Sequence, residues 1–124
     1  MSSPRPRNRR FREEAERDLN RLAEALFARL RPQRILVFGS VARGDVHQGS
    51  DLDLILIGDF SGSRRDRVDQ VLEVAWDLGI RRGVEPLVYT PEEFERAKHS
   101  PDFATLLAEA REVTQAASPA LRSP

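Results

Sequence analysis

Two short apolar runs constrain the fold of this chain more than any other feature of its sequence. Residues 35–38 have the sequence Ile-Leu-Val-Phe, and residues 51–57 have the sequence Asp-Leu-Asp-Leu-Ile-Leu-Ile. Short runs of β-branched, aromatic and aliphatic residues bounded by glycine or polar residues are typical of buried strands. Both runs therefore predict strands of a small sheet, and residues 84–89 predict a third.

Apolar residues spaced three and four apart predict helices around these strands. Residues 11–30 carry this pattern along one long helix that ends before Pro32. A second helix is expected after Ser61 or Ser63, either of which suits an N-cap. The side chains expected on its buried face, with Trp76 in a core role, are Val68, Val71, Leu72, Ala75 and Trp76.

The third strand is followed by the strongest helix-start signal in the chain. Residues 90–93 read Thr-Pro-Glu-Glu, which supplies an N-cap, a proline at the first helical position and acids in the first turn. Short helices are predicted over residues 94–98 and 103–113. The element order is then α-β-β-α-β-α-α, which indicates an α/β (α+β) fold with a small mixed sheet backed by helices.

The length of 124 residues fits a single domain, which we predict over residues 11–113. Both ends are rich in proline, serine and charge, so residues 1–10 are predicted to be a disordered basic tail and residues 114–124 a second disordered tail. The basic tail suits contact with RNA or with an acidic partner, or it is simply solvated.

Composition excludes several classes of function. The chain has no cysteine, which rules out disulfides, thiolate metal sites and cysteine nucleophiles and favours a cytoplasmic location. No apolar run approaches the ~20 residues needed to cross a bilayer, so no membrane association is expected. The 20 basic and 20 acidic residues cancel, which argues against binding of long nucleic acid.

Two aspartates at the start of the second strand are the first candidate site residues. Asp51 and Asp53 are two residues apart, so their carboxylates leave the same face of a strand and lie close together. Such a pair shares a proton or is neutralised by a cation, and its hard oxygen ligands suit Mg²⁺ or Mn²⁺. The alternative is that Asp51 ends a turn while Asp53 faces solvent, and the pair alone does not decide between them.

A Gly-Ser turn at the end of the first strand is the second candidate feature. Gly39 permits close backbone approach, and Ser40 adds a hydroxyl to amide groups that can hold phosphate oxygens. The same pair also fits an ordinary strand-to-helix corner, since no Walker-type pattern is present. Together with the aspartates, it predicts metal ions between a triphosphate and the protein. Arg43 either reaches phosphate or pairs with Asp45 at the surface.

These motifs resemble those of a known family. Residues 39–44, GSVARG, and residues 50–54, SDLDL, are similar to the signature of minimal nucleotidyltransferases, short members of the DNA polymerase β superfamily. The resemblance extends over roughly residues 20–113 and includes the sequence YTPEEF at residues 89–94. It implies a polymerase β-like nucleotidyltransferase fold and the Mg²⁺-dependent transfer of AMP from ATP to a hydroxyl group, with two metal ions.

The resemblance also implies roles for individual residues. Asp51, Asp53 and Glu85 would hold the metal ions and support catalysis. The family usually has aspartate at the position of Glu85, and the Pro86 that follows removes a strand N–H and belongs at a sheet edge. The residues implied to bind the nucleotide are Gly39, Ser40, Arg43 and Ser50.

The short length leaves little surface for selecting an acceptor. The resemblance implies that a HEPN-domain toxin is the partner and that this chain is the antitoxin, transferring AMP to a tyrosine hydroxyl of the toxin. One alternative is a catalytically inactive antitoxin or binding module that neutralises its partner by contact alone. Another is an aminoglycoside-type enzyme for small molecules. The sequence leaves homo-oligomeric and hetero-oligomeric assembly open.

Overall fold

The computed structural model describes residues 6–115, which form five helices and four strands. In chain order they are α1 (Pro6–Arg29), β1 (Arg34–Phe38), α2 (Gly39–Arg43), β2 (Leu52–Ile57), α3 (Arg64–Asp77), β3 (Val84–Tyr89), α4 (Pro91–Ala97), α5 (Pro101–Glu109) and β4 (Arg111–Val113). None of the helices in this part of the chain combines the length and the apolar character needed to cross a membrane.

The four strands form one mixed sheet in the order β3-β2-β1-β4. β1 is antiparallel to both β2 and β4, whereas β2 and β3 are parallel. Phe38 at the end of β1 lies opposite Asp53, and Asp53 in turn lies opposite Glu85 in β3. The end of β1 and the starts of β2 and β3 therefore meet at one end of the sheet. The small mixed sheet backed by helices that the sequence predicts is confirmed.

Side chains from β2 enter both faces of the sheet. Leu52, Leu54 and Leu56 are fully buried in the larger core, which α1 and α3 help to form. Ile55 and Ile57 belong to a second cluster on the other face, together with residues of α4 and α5. Because side chains alternate along a strand, Asp53 projects from that second face. On this second face, the end of the sheet where Asp53 lies is thus occupied by polar groups and not by the apolar cluster.

The buried face of α3 differs from the predicted one. Its buried side chains are Arg67, Val71, Val74 and Ala75. The core role predicted for Trp76 is wrong, since this side chain is 84% exposed, and Leu72 is 38% exposed. Both sets of residues have helical spacing, so periodicity alone could not separate them. In the structure, Arg67 lies on the buried face of α3 and pairs with Glu93. A search for apolar positions could not have assigned an arginine to that face.

The end of the described chain also departs from expectation. The sequence predicts helix over residues 111–113, but these residues form β4, because Ala110 turns the chain out of α5 and Val113 pairs with Ile35 on the open edge of β1. Two hydrogen bonds from Arg34 to Glu112, of 3.2 and 2.7 Å, support this pairing. Non-local strand pairing here outweighs local helix propensity.

The first helix begins earlier than its apolar pattern indicates. α1 starts at Pro6, five residues before the predicted start at residue 11. Proline is tolerated in a first helical turn and arginine is a good helix former, so residues 6–10 continue the helix without an apolar face. Residues 1–5 and 116–124 of the two predicted tails lie outside the described residues.

The N-caps predicted for α3 and α4 are confirmed, with Ser63 rather than Ser61 capping α3, and both form capping boxes. Ser63 accepts a hydrogen bond from the Asp66 amide, and Thr90 accepts one from the Glu93 amide. In return, the carboxylates of Asp66 and Glu93 accept hydrogen bonds from the amides of Ser63 and Thr90. In α4, the Glu93 carboxylate also accepts a 2.7 Å hydrogen bond from the buried guanidinium of Arg67. These contacts, the Thr90 amide first, lower the pKa of Glu93. Glu93 therefore joins a helix cap to the only charged side chain buried in the described core.

We expect Glu93→Ala to lower the free energy of unfolding by about 3 kcal/mol, because it leaves the Arg67 guanidinium buried without its partner. Glu92→Ala is the matched control, since Glu92 occupies the same helical turn but is exposed. Urea denaturation at neutral pH measures both variants. Equal, small losses of stability would show that the Arg67–Glu93 pair contributes nothing beyond a surface contact.

Candidate active site

Three carboxylates meet where β2 and β3 begin. Asp53 and Glu85 are direct neighbours across the parallel pair, so their side chains leave the same face. The charges of Glu85 and of Asp51, two residues earlier, both act on the Asp53 carboxyl group. The structure thus brings together all three acids that the sequence singled out.

The surroundings of Asp53 alter its ionisation. The pKa of Asp53 rises to about 6, first because the group is partly buried and then because its protonated form can donate a hydrogen bond to Glu85 and both neighbours repel its charge. The positive charge of Arg43 opposes this rise. At neutral pH the cluster therefore carries closely spaced negative charge that a cation would relieve.

The donor set suits a hard divalent cation. All three groups offer carboxylate oxygens, the ligands that Mg²⁺ and Mn²⁺ prefer. Within residues 6–115, no three His, Cys, Asp or Glu side chains already surround a common point. Binding of one cation by all three acids therefore requires their side chains to turn toward a common point. The residues fit the ion in chemistry and in proximity.

Two glycines allow the backbone to approach the carboxylates. A Cβ atom on Gly39 would lie 2.3 Å from Oδ2 of Asp53, and one on Gly83 would lie 2.4 Å from Oδ1 of Asp51. Gly39 also has a φ of +71°, a conformation that other residues adopt only with strain. The sequence correctly indicated close approach at Gly39, although the neighbour seen in the structure is a carboxylate. Gly83 was not recognised as part of the site.

The turn after β1 carries Ser40 and Arg43. These residues lie in the single-turn helix α2, where the Ser40 carbonyl accepts a 2.9 Å hydrogen bond from the Asp45 amide. Of the two alternatives for Arg43, the surface pairing with Asp45 is wrong, because the guanidinium binds Glu109 in α5 at 3.1 Å. A sequence reading could not find this pair, since 66 residues separate its members. Phosphate binding by Ser40 and Arg43 stays a prediction.

Ser50 is buried in the loop that leads to Asp51. Its Oγ accepts a 2.9 Å hydrogen bond from the His47 amide, and its carbonyl oxygen accepts a 2.8 Å bond from Nη1 of Arg82. These contacts hold the loop in place, and nucleotide binding by Ser50 also stays a prediction. Sequence reasoning missed Arg82, because nothing in the local sequence around it indicates a partner 32 residues away.

Comparison with known proteins places this geometry in a family. A family model described as a nucleotidyltransferase domain matches residues 19–114, which include all three acids and both neighbouring glycines. No curated protein is similar enough to the chain to count as a match.

Two solved structures are similar to this chain. A toxin–antitoxin protein crystallised with AMP-PNP is 16% identical with a TM-score of 0.54, and the match covers 82% of this chain and 73% of that one. A proposed nucleotidyltransferase from Sulfolobus solfataricus is 24% identical with a TM-score of 0.48, covering 77% of this chain and 84% of that one. Since the family model spans most of the sequence, the chain belongs to the nucleotidyltransferase domain family.

Proposed function

We propose that this protein is a Mg²⁺-dependent nucleotidyltransferase that moves AMP from ATP to a hydroxyl group of a partner protein. The observation that carries the proposal is the meeting of Asp51, Asp53 and Glu85 at one end of the sheet, directly beside the Gly39 turn.

Each part of the site has a defined task in this reaction. Asp51, Asp53 and Glu85 would hold two Mg²⁺ ions, which supply charge neutralisation for the triphosphate and polarise the reacting oxygens. Gly39, Ser40 and Arg43 would bind phosphate oxygens, with help from backbone amides of the turn and from the neighbouring Ser50. Most of the catalysis is then positioning and electrostatic stabilisation.

In the proposed step, the acceptor hydroxyl oxygen bonds to the α-phosphorus of ATP, and the bond from that phosphorus to the α–β bridging oxygen breaks. Pyrophosphate leaves with the electron pair of the broken bond, and the hydroxyl proton is released to water. Glu85, as the most exposed of the three acids, is the carboxylate best placed to orient the incoming hydroxyl.

The register of β3 favours an active enzyme over an inactive binding module. Pro86 lacks an N–H group, and a proline in a central strand would disturb the pairing. β3 is an edge strand, however, and its parallel register with β2 continues through Pro86 opposite Leu54. Glu85 therefore stays level with Asp53, and its extra methylene is the one departure from the family pattern that affects the cluster.

The acceptor is the finer part of the proposal. A structural neighbour is described as a toxin–antitoxin protein with AMP-PNP, which supports a nucleotide substrate and a protein partner. We propose that this chain acts in the cytoplasm as an antitoxin and that the acceptor is a tyrosine of a HEPN-domain toxin. Transfer to a small molecule of the aminoglycoside type is the alternative enzyme function, and contact alone is the non-catalytic one.

Transfer of label from α-labelled ATP tests the proposal. The purified protein is incubated with Mg²⁺ and with a HEPN-domain protein as the candidate partner, beside a variant carrying Asp51→Asn and Asp53→Asn. We expect label on the partner with the native protein and a loss of more than about 10²-fold with the variant, since loss of groups that merely support metal ligands already costs 10–100-fold. Mass spectrometry then identifies the modified side chain.

Two results would contradict the proposal. If the partner binds both forms equally and receives no label from either, contact alone explains the interaction. If the partner remains unlabelled but an aminoglycoside is modified, the protein is an enzyme for small molecules.

A further inference from the structure

We propose that Arg82 is a positioning residue that fixes the Asp51 carboxylate for metal binding without touching the substrate. This inference rests on the proposed function, because it concerns the same carboxylate cluster. It assigns a task to a residue outside the family motifs, in the connection between α3 and β3. Three sets of contacts support it.

Arg82 joins helix α1 to the loop that precedes Asp51. Its Nε donates a 2.8 Å hydrogen bond to Oδ2 of Asp18 in α1, and its Nη1 donates a 2.8 Å bond to the carbonyl oxygen of Ser50. The side chain of Arg82 is only 14% exposed. Charged hydrogen bonds in such a setting are less weakened by solvent than those at the surface. The Ser50 carbonyl group belongs to the peptide bond that joins Ser50 to Asp51.

Gly83, the next residue, contacts the backbone on the other side of Asp51. The Gly83 carbonyl oxygen accepts a 2.9 Å hydrogen bond from the Leu52 amide. Gly83 also leaves open the space beside Oδ1 of Asp51 that a Cβ atom would fill at 2.4 Å. Arg82 and Gly83 thus hold the backbone on both sides of Asp51 and define the space for its carboxylate.

Helix α1 holds Arg82 in place. Asp18 interacts with both Arg82 and Arg21, and Nη2 of Arg21 donates a 2.9 Å hydrogen bond to the carbonyl oxygen of Leu78. The connection from Leu78 to Arg82 is therefore tied to α1 at both ends. Leu19 and Leu22, on the same helix, are fully buried in the core, so α1 cannot shift without disturbing the packing.

The guanidinium group is well matched to this task. Its planar set of N–H groups reaches a carboxylate and a carbonyl oxygen from one side chain, whereas a lysine ammonium carries all of its donors on one nitrogen. A lysine would keep the charge of Arg82 but hold only one of its two partners well. A glutamine would lose the charge and the reach. Arg82→Lys should therefore weaken the positioning of Asp51 less than Arg82→Gln does.

The test compares Arg82→Gln, Arg82→Lys and Asp18→Asn with the control Arg29→Gln. Arg29 forms a 2.9 Å bridge from α1 to Asp77 in α3, so its loss also removes an arginine contact of α1, but away from the carboxylates. Calorimetry measures the binding of ATP at a series of Mg²⁺ concentrations. Thermal unfolding without Mg²⁺ measures the general loss of stability.

We expect Arg82→Gln to raise the Mg²⁺ concentration for half-maximal ATP binding about 10-fold or more, in the range seen when groups that orient metal ligands are removed. Arg82→Lys and Asp18→Asn should give smaller shifts in the same direction, and Arg29→Gln should give none. The lysine and asparagine variants decide the matter if the glutamine variant does not fold. If they too show the Mg²⁺ dependence of Arg29→Gln, the role of Arg82 is purely structural.

The two proposals fail in different ways. If the native protein binds ATP with a Mg²⁺ dependence that the Arg82 and Asp18 variants leave unchanged, the inference about Arg82 fails and the proposed function stands. If the native protein shows no Mg²⁺-dependent ATP binding, the proposed function fails, and the inference fails with it.

Discussion

Replacement of Asp53 by asparagine is expected to abolish nucleotidyl transfer and to make the metal-free protein more stable. Transfer should fall by more than about 10²-fold, because the variant loses a metal-binding carboxylate. Stability should rise because burial first, and then the neighbouring Glu85 and Asp51, raise the pKa of the native carboxylate to about 6 from an ordinary value of 3.8. Function and stability therefore move in opposite directions at this position.

The pH dependence follows from the direction of that shift. Between pH 4 and pH 6 the folded protein holds a proton on Asp53 more tightly than the unfolded chain does. The native protein is thus expected to lose stability as pH rises through this window, and the full cost is present above pH 6. At 1.4 kcal/mol per pKa unit, the cost is about 1 to 3 kcal/mol after allowance for partial exposure.

Urea denaturation with a chelator at pH 4, 5, 6 and 7.5 measures this effect. The gap between Asp53→Asn and the native protein should widen with pH, and added Mg²⁺ should stabilise the native protein but not the variant. Asp59→Asn is the control, since Asp59 is exposed beyond the end of β2. A stability difference that is the same at every pH would show that charge repulsion in the cluster is unimportant.

A methyl group at position 39 is expected to disrupt the site from the other side. In Gly39→Ala the new Cβ atom would lie 2.3 Å from Oδ2 of Asp53, so the carboxylate must move. Displacement of a reacting group by about 1 Å costs on the order of 10²-fold in rate, and we expect a loss of this size in label transfer. The positive φ of +71° adds a backbone cost of about 1 kcal/mol.

Gly79→Ala separates the two effects. Gly79 has nearly the same φ, +72°, but a Cβ atom there would have no other part of the described chain within 4 Å beyond its immediate neighbours. Both variants should therefore lose about the same stability from backbone strain, while only Gly39→Ala should lose transfer activity. Equal activity in the two variants would mean that the approach of Gly39 to Asp53 has no part in the reaction.

Local signals in the sequence were sufficient for much of the fold. The strands over residues 35–38, 52–57 and 84–89 follow from short apolar runs, and the caps at Ser63 and Thr90 follow from the chemistry of helix starts. The failures have a different cause. β4 forms because β1 has an open edge, and the face of α3 is set by an Arg67–Glu93 pair across 26 residues.

The candidate site shows the same division. The proximity of Asp51 and Asp53 follows from strand geometry, whereas the position of Glu85 beside them depended on the family resemblance. The partners of Arg43 and Arg82 lie 66 and 64 residues away, on helices whose placement no local pattern encodes. Only the folded chain shows that these arginines belong to the surroundings of the carboxylates.

The exposed indole of α3 has a practical consequence for spectroscopy. Trp76 is the only tryptophan in the chain, and it borders a shallow groove with Gly79, Ile80 and Arg81. Since its side chain is 84% exposed, its fluorescence should resemble that of an indole in water. Any molecule that covers this end of α3 would shift the emission to shorter wavelengths. The native protein thus carries its own optical reporter, a few residues before the strand that bears Glu85.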